Sequence, residues 1–561
     1  MKPPLEAWET IEKATPDKAK ITPFGEASTG VANEQLIPDD SHERVIYARR
    51  LVSQRCIYGV DVNPLATEMA KLSLWLLTLA KDKPFTFLDH SVRCGDSLVG
   101  LSSLEELLSF SLDATISTGP LLEQQRQAIE NRVNATTAQR TQIESLPSNT
   151  PDDVERKSQM LLRTEEQTSR LSYAADMLLA CNWGEVTSKE RVASSNANLL
   201  EASENLRSQD WTAEWFENEA KKVRDEAGIP SRFHWPLEFP EVFSNHGGFD
   251  AFVCNPPFMK GHFISRNFGD AYREYVVFAI NQVPAGLADL VSFFFSRAST
   301  LLRRDGAYGF LATNSIADGD TNVVGLDRPA KHGIAVRRAD RDKPWPGVAG
   351  VVISIVWAAK GSWGGKYVLD EREVKNISPQ LNEGIREVVH QLNENKSTAF
   401  NGSYLLGDGY VVSDSDANDW ISHDTRYENV ILSYINGKEL FTYPTVAPRR
   451  KAICFWDWTE SQAAEYGEAY ARLKQEVKPV RDKVNRDRRR KLWWVHAENN
   501  PGLYHALGRG SLFRKHPSTW DEGKTPPDVV ICKAKTSKTW AFTFLPATTN
   551  SRDEYTPCIQ G

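Results

Sequence analysis

The chain has 561 residues, 25% of them charged and 40% apolar, with a net charge of −7. That length supports two or three domains with ample core, and the acidic balance excludes nothing about nucleic acid, because a local basic surface binds phosphates whatever the total. No apolar run is long enough for a membrane span, Met1-Lys2-Pro3-Pro4 opens no secretory segment, and the seven cysteines lack paired spacing, so a cytoplasmic protein without membrane partner or structural metal is expected.

Residues 1–50 read as polar and irregular. The stretch from Arg55 to Pro64 reads as a strand ending in Asp61, after which Asn63 caps a helix and Pro64 occupies its first turn. Leu65, Met69, Leu72, Leu76 and Leu79 follow at helical spacing. An acidic side chain at the carboxyl end of a parallel strand is well placed for the two hydroxyls of a ribose. In Val92-Arg93-Cys94-Gly95-Asp96-Ser97-Leu98, Asp96 stands at a second strand end, where it can accept from an adenine amino group; Gly-Asp-Ser by itself is a common turn. Residues 103–235, rich in Gln, Glu, Arg and Ser, predict an inserted helical hairpin with Leu121-Leu122 near its start and a break near Pro147 to Pro151. A partly disordered spacer is the competing reading.

The run Phe249-Asp250-Ala251-Phe252-Val253-Cys254 predicts a buried strand, and Asn255-Pro256-Pro257-Phe258 then ends it in a rigid, extended loop. The Asn255 side-chain oxygen and the Pro256 carbonyl can each accept one hydrogen of an amino group conjugated to a flat ring, and Phe258 can stack on that ring. Such an arrangement orients a poorly nucleophilic nitrogen towards a methyl donor with neither prior deprotonation nor a covalent enzyme intermediate. A base within a duplex has to flip out to reach it, at a cost of about a few kcal/mol. An ordinary strand-ending turn is the bland alternative.

Leu290 to Leu302 predicts a helix leading through Arg303-Arg304-Asp305-Gly306 into a strand from Ala307 to Ala312, and Val351 to Ala359 predicts another buried strand. Glu373-Val374-Lys375 lies too close to Asp370 for a nuclease metal site, and no His-Glu-x-x-His or Gly-x-Ser-x-Gly motif occurs. Further on, Arg481, Lys483, Arg486, Arg488, Arg489, Arg490 and Lys491 precede Trp493-Trp494. A basic helix of this kind delivers many phosphate contacts, whereas a solvated helix face anchored by the tryptophans explains each residue singly as well.

In this order the motifs resemble the adenine-N6 DNA methyltransferases, specifically the large branch of type IIG restriction-modification enzymes and related phage-defence methylases. Tyr58 to Pro64 with Lys71 to Leu76, Phe87-Leu88-Asp89-His90 before Cys94 to Leu98, Ala288-Asp289-Leu290, Gly306 to Asn314 and Trp345 to Ala349 carry the likeness over roughly residues 45–360, with a looser match to about 545. The resemblance implies a class I, Rossmann-like α/β core with a mixed, seven-stranded, doubly wound sheet (51–102 and 236–360), interrupted by the helical insertion (103–235) and followed by a partial α+β target-recognition region (361–561). It implies S-adenosylmethionine as cofactor, with Asp61 on the ribose, Val62 against a face of the cofactor adenine and Asp96 near that adenine. It also implies Asn255, Pro256, Pro257 and Phe258 at a flipped adenine of double-stranded DNA.

One departure bears on partners. The family opens its methylase domain with a strand and a glycine-rich loop around the methionine end of the cofactor, and no such sequence precedes Asp61. Gly25 and Gly30, within Thr22 to Gly30, neither follow an apolar strand nor open a periodic helix. The expectation is that another polypeptide supplies the loop, or that the chain is a truncated or interrupted member, with restriction or specificity subunits as further partners. The chain ends at Gly561, soon after Lys533 to Lys538, where the family would be entering its specificity region, so an incomplete target-recognition region is also expected. The alternatives are a DNA-binding subunit inactive without that partner, and a methyltransferase acting on protein glutamine or RNA.

Overall fold

The computed structural model describes residues 2–15, 20–28, 30, 34–80, 83–112, 123–184, 188–207, 211–281, 286–347, 350–384, 400–442, 448–484, 486–510, 528–534, 541–551 and 554–557. Thr29, Leu121, Leu122, Val348, Ala349 and Lys535 to Lys538, singled out above, lie outside the described residues. The chain divides into two compact units, residues 1–387 and 388–561.

The first unit is a mixed α/β structure. Its strands are β1 (Gly59–Asp61), β2 (Val92–Cys94), β3 (Phe249–Cys254), β4 (Leu302–Thr313), β5 (Ile334–Pro344), β6 (Val352–Lys360), β7 (Tyr367–Leu369) and β8 (Arg372–Val374). They form two sheets where one continuous sheet was expected: a parallel pair β1-β2, and a six-stranded sheet in the order β3-β4-β6-β5-β7-β8. β3 and β4 run parallel, whereas β6 is antiparallel to both β4 and β5. The break falls between β1 and β3, because no strand of the described residues lies between them.

Local chemistry explains most of the elements. Asn63 accepts from the Leu65 N–H at 3.0 Å, and Pro64 opens the helix Pro64–Leu77. β3 ends at Cys254, ahead of the two prolines. β4 begins earlier than the sequence suggests, at Leu302; the segment Arg303 to Gly306 is taken up by a register shift against β3, with Asp305 at positive φ. Asp370 and Glu371, both at positive φ, make the two-residue turn between β7 and β8, and Arg341 holds the Asp370 carboxylate at 2.8 Å. That ion pair gives Asp370 a structural role.

Two departures follow from packing. The N-terminal stretch expected to be irregular contains the helices Lys2–Ala14 and Ser41–Arg55. Asp40 caps the second by accepting from the His42 and Glu43 N–H groups, and Trp8, Ile21, Ile37 and Ala48 form a small core with Tyr47 and Leu51. The helix Pro64–Leu77 turns its apolar stripe outward: Leu65, Met69, Leu72 and Leu76 are 50–66% exposed, while Thr67 and Lys71 are buried. Lys71 is held there by Asp89 at 2.6 Å and Glu68 at 2.8 Å.

Between β2 and β3 the described residues contain the long helices Glu123–Ser145, Pro151–Ala180, Ser188–Arg207 and Ala213–Ala227. Buried charges fasten them to one another and to the segments ahead of β2 and β3. Arg140 meets Glu241 at 2.9 Å and donates to the His90 carbonyl, and Asp176 collects Arg224, Arg232 and His234. The Leu101 N–H donates to His234 Nδ1, which leaves the Nε2 proton for Asp176 at 3.0 Å. Burial opposes the Asp176 charge, but Arg232, His234 and Arg224 outweigh it and hold its carboxyl below the usual range.

The second unit contains two four-stranded sheets. One joins β10 (Val411–Val412), β12 (Arg450–Ile453), β11 (Ile431–Ile435) and β15 (Thr549–Ser551); the other joins β14 (Phe542–Pro546), β13 (Val529–Lys533), β16 (Glu554–Pro557) and β9 (Phe400–Asn401). Its core is rich in aromatic residues, among them Tyr410, Phe455, Trp493, Trp494 and Tyr504. No helix among the described residues is long and apolar enough to cross a membrane.

Candidate active site at the carboxyl ends of three strands

Asp61 and Asp96 come together because β1 and β2 are parallel and in register, with Asp61 opposite Cys94. The Asp61 carbonyl accepts from the Gly95 N–H at 2.9 Å, joining the two strand ends directly. Asp61 is exposed, and one carboxylate oxygen accepts from the Asn63 N–H at 2.8 Å. Val62 beside it is 60% exposed.

Asp96 is half-buried and far more constrained. Its carboxylate accepts from the Leu98 N–H at 2.9 Å and from the Tyr272 hydroxyl. Burial pushes its pKa up, against these donors and the distant Arg297 charge. Arg297, buried in the helix Leu290–Leu301, donates to the Leu98 carbonyl at 2.8 Å and fixes the loop beyond Asp96. Gly95 is required by close approach: a Cβ there would stand 2.7 Å from the Arg232 carbonyl oxygen.

β3 brings Asn255 to the same end of the unit. Tyr58 and Phe249 meet edge to face at 5.6 Å between ring centroids, so β1 and β3 begin together. At the other end, burial and the Asp61 charge raise the Cys254 thiol to about 11, so the two strands also finish together. Asn255 and Pro257 are exposed, Pro256 is buried, and Phe258 is half-buried against the core of the six-stranded sheet. Among the described residues no hydrogen bond engages the Asn255 amide or the Pro256 carbonyl. The loop beyond is pinned instead: Asp289 accepts from the Met259 N–H at 3.0 Å and from Val291 N–H, and Leu290 N–H donates to the Met259 carbonyl at 2.8 Å.

Sequence reasoning missed Tyr272 and Arg297 as supports of Asp96. An arginine inside the apolar segment Leu290 to Leu302 was the available signal, since a buried guanidinium requires acceptors. Tyr272 gave none, because its partner is 176 residues away in the sequence (272 − 96).

In the second unit, the basic run forms two short helices, Lys478–Arg481 and Asp487–Lys491. Arg481 is a correction: it is fully buried, donating to the carbonyls of Leu405 and Val495 and to the Tyr410 hydroxyl, so it is closed to phosphate. Lys483, Arg486, Arg488, Arg490 and Lys491 are exposed and Arg489 is half-buried. Several have local partners: Arg486 and Arg489 reach Glu498, Arg488 reaches Asn499, and Arg490 and Lys491 reach Asp487. Arg489 also lines a groove of about 1100 Å³ with Tyr404, Tyr434, Lys438, Arg450 and Glu498.

The carboxyl ends of these strands thus carry two carboxylates, Asp61 and Asp96, and an Asn-Pro-Pro-Phe loop in one α/β unit. Residues 55–323, just under half of the chain, match the family described as Eco57I restriction-modification methylase. Over that segment the chain is similar to a restriction-modification methylase, which supports a DNA methyltransferase. Among solved structures, the type IIL restriction-modification enzyme MmeI in complex with DNA is 12% identical with a TM-score of 0.42, over 99% of this chain and 82% of that one. The DrdV–DNA complex is 12% identical at 0.29, over 70% and 45%, and the type IIG restriction endonuclease BpuSI is 11% identical at 0.22, over 83% and 65%. At such scores these likenesses carry no argument. No curated protein matches the chain.

Proposed function

We propose that the chain is an adenine-N6 DNA methyltransferase of a restriction-modification or phage-defence system. The observation that carries this reading is the exposed, unengaged Asn255 side chain at the end of β3, on the same side of the unit as Asp61 and Asp96. S-adenosylmethionine, when bound, supplies the methyl group. The residues present fit it: Asp61 keeps a solvent-facing oxygen free for a ribose hydroxyl, Val62 offers an exposed apolar surface to the adenine, and Asp96 is fixed as an acceptor for its amino group. Asn255 and the Pro256 carbonyl orient the target amino group, and Phe258 stacks on the flipped base. Lys483, Arg486, Arg488, Arg489, Arg490 and Lys491 contribute phosphate contacts from the second unit, within an α+β target-recognition region.

The Rossmann-like arrangement belongs to the same proposal: the order β2-β1, a gap, then β3-β4 is that of a doubly wound sheet whose first strand is not among the described residues. A segment that brings that strand and the glycine-rich turn, on this polypeptide or on a second one, completes the cofactor site. The test is transfer of a labelled methyl group to adenine-containing duplexes by the chain with its partner, compared with Asn255→Ala. Loss of transfer with cofactor binding intact is expected. Label arriving on glutamine or RNA, and not on duplex DNA, would favour the alternative substrates.

A further inference from the structure

Buried polar atoms without hydrogen-bond partners gather where the end of the helix Ser41–Arg55, the segment ahead of β2 and the turn between the helices Glu123–Ser145 and Pro151–Ala180 meet. Arg50 ties the three together, donating to the Pro84 carbonyl at 2.9 Å and to the Ser148 carbonyl at 2.8 Å. Around it, Ser53 Oγ, Gln54 Nε2, Arg55 Nε, Thr86 Oγ1, His90 Nδ1 and Ser148 Oγ are buried and unpartnered. Protein interiors leave few such atoms, and a concentration of them marks a place where water or an ion binds. Lys157 enters the same space, 1% exposed, from the face of the helix Pro151–Ala180 that packs Val154 and Leu161 on Phe87 and Ile143. Burial and then the Arg140 and Lys157 charges lower the pKa of His90.

Charge separates the two kinds of occupant. Among the described residues no ion pair engages Arg50, Arg55 or Lys157, and no hydrogen bond engages the Arg55 guanidinium or the Lys157 ammonium. Burial and the neighbouring Arg55 charge lower the Lys157 pKa to about 8. The two carboxylates that act on Lys157 are committed elsewhere. Asp153 accepts from the Asn149 and Thr150 N–H groups at 3.0 Å, and Glu144 accepts from the Tyr58 hydroxyl at 2.7 Å while burial raises its pKa. Water satisfies neutral donors but brings no charge, and a buried cation without a counter-charge is costlier than any neutral polar group.

We infer that this closed space is a halide site, holding a chloride ion between Lys157, Arg55 and the Gln54 amide, with the Ser53 and Ser148 hydroxyls as further donors. The surroundings set the size of the ligand. Lys157, Gln54, Ser53 and Ser148 are each 6% exposed or less, so no peptide segment or carbon-bearing ligand reaches them. The donors come from separate elements, which suits a spherical anion. Arg55 lays its guanidinium over Phe24 at 4.3 Å and leaves Nε as its buried, unpartnered donor, in place of the two-pronged fork that a carboxylate or phosphate takes. His90 Nδ1 is the exception in the set: Nε2 donates to the Gln54 carbonyl at 3.0 Å, so Nδ1 is a bare acceptor, and one hydroxyl or ammonium proton suffices for it. The bound ion cross-links the helix Ser41–Arg55 to the helix Pro151–Ala180, next to the Tyr58–Glu144 contact at the start of β1. It does so whether or not the chain transfers methyl groups.

The test is urea unfolding of the full chain at constant ionic strength, with sodium chloride replacing sodium gluconate, whose anion is too large to enter. The unfolding midpoint should rise with chloride, the folded-to-unfolded ratio gaining about 100-fold at roughly 100 times the dissociation constant. Sodium phosphate in place of chloride should leave the midpoint at its gluconate value. Lys157→Met should lose the chloride dependence and, having shed an uncompensated charge, be at least as stable as the unaltered chain in gluconate. Gln54→Leu should weaken the apparent chloride affinity without abolishing it, a readout that stands even where the lysine variant fails to fold. In crystals grown with sodium bromide, anomalous density should appear between Lys157 and Gln54. A midpoint indifferent to chloride, equal stabilisation of Lys157→Met by chloride, stabilisation by phosphate alone, or bromide confined to the surface as an adventitious ion only would each overturn the inference. None of these readouts needs cofactor or DNA, so they fail independently of the methylation assay.

Discussion

Arg297 reaches from the helix Leu290–Leu301 to the loop beyond Asp96 and donates to the Leu98 carbonyl at 2.8 Å, across 199 residues of sequence. It donates more weakly to the Gly100 carbonyl at 3.3 Å. The helix whose first residue pins Met259, just beyond the Asn-Pro-Pro-Phe loop, therefore also holds the loop beyond Asp96, and the two halves of the candidate site share one support.

Arg297→Met keeps the aliphatic stem and removes the donors, leaving the buried Leu98 carbonyl without one, while the Gly100 carbonyl keeps the Tyr275 hydroxyl at 3.5 Å. A loss of about 2 kcal/mol is expected in urea unfolding of the first unit, an unsatisfied acceptor costing roughly 1–3 kcal/mol. Cofactor affinity should fall with it. An unchanged midpoint would mean that the Asp96 loop is held by other contacts.

Asp61→Asn retains an acceptor for the Asn63 N–H, so the strand end and the cap should survive. It removes the charge. A charge-assisted hydrogen bond is worth about 1.5–3 kcal/mol, so calorimetric affinity for S-adenosylmethionine should drop roughly 10- to 100-fold. Equal affinities for the two proteins would remove Asp61 from the ribose.

Arg481 and Arg488 should separate cleanly although both belong to one basic run. Arg481→Leu strands the Leu405 carbonyl inside the second unit, while the Val495 carbonyl keeps the Tyr410 hydroxyl at 2.8 Å, and a loss of about 2 kcal/mol is expected in its thermal or urea unfolding. Arg488→Ala should change stability by no more than about 0.5 kcal/mol. In DNA titrations at several salt concentrations it should lower the slope of log K against log salt by about 1. A normal slope in Arg488→Ala would place the DNA path elsewhere.

Acid should destabilise the second unit before its carboxylates titrate. His496 is buried and donates from Nε2 to the Ile453 carbonyl at 2.8 Å, and burial, aided by the Arg481 charge, lowers its pKa to about 4. Unfolded, it titrates near ~6.5, so between these values the unfolded chain holds the extra proton and stability falls with falling pH. The loss is about 3 kcal/mol and is complete near pH 4, below which both states are protonated. His496→Gln keeps a donor for Ile453 and should flatten the profile of unfolding midpoint against pH over that range; an unaltered profile would assign the acid sensitivity to other groups.

How much could be read in advance differs from residue to residue. The cap at Asn63, the end of β3 at the two prolines and the acidic ends of β1 and β2 are set by neighbours within a few residues, so the sequence alone exposes them. The two N-terminal helices were not legible, because residues 1–50 show weak periodicity and their core pairs Trp8 and Ile37 with Ala48 and Tyr47. Arg481 was misread for a related reason. Nothing local distinguishes a guanidinium that faces water from one that finds three oxygens from Leu405, Tyr410 and Val495.

What the sequence by itself determined is chemical: which residues end strands, where carboxylates and a side-chain amide stand at those ends, and where cations cluster. What only the tertiary structure decided is placement. It sent the apolar stripe of the helix Pro64–Leu77 outward, buried Arg481, tied Asp96 to Tyr272 and Arg297, and left the sheet open between β1 and β3. Periodicity reports which face of an element is apolar, but whether that face meets a neighbour depends on every other element present.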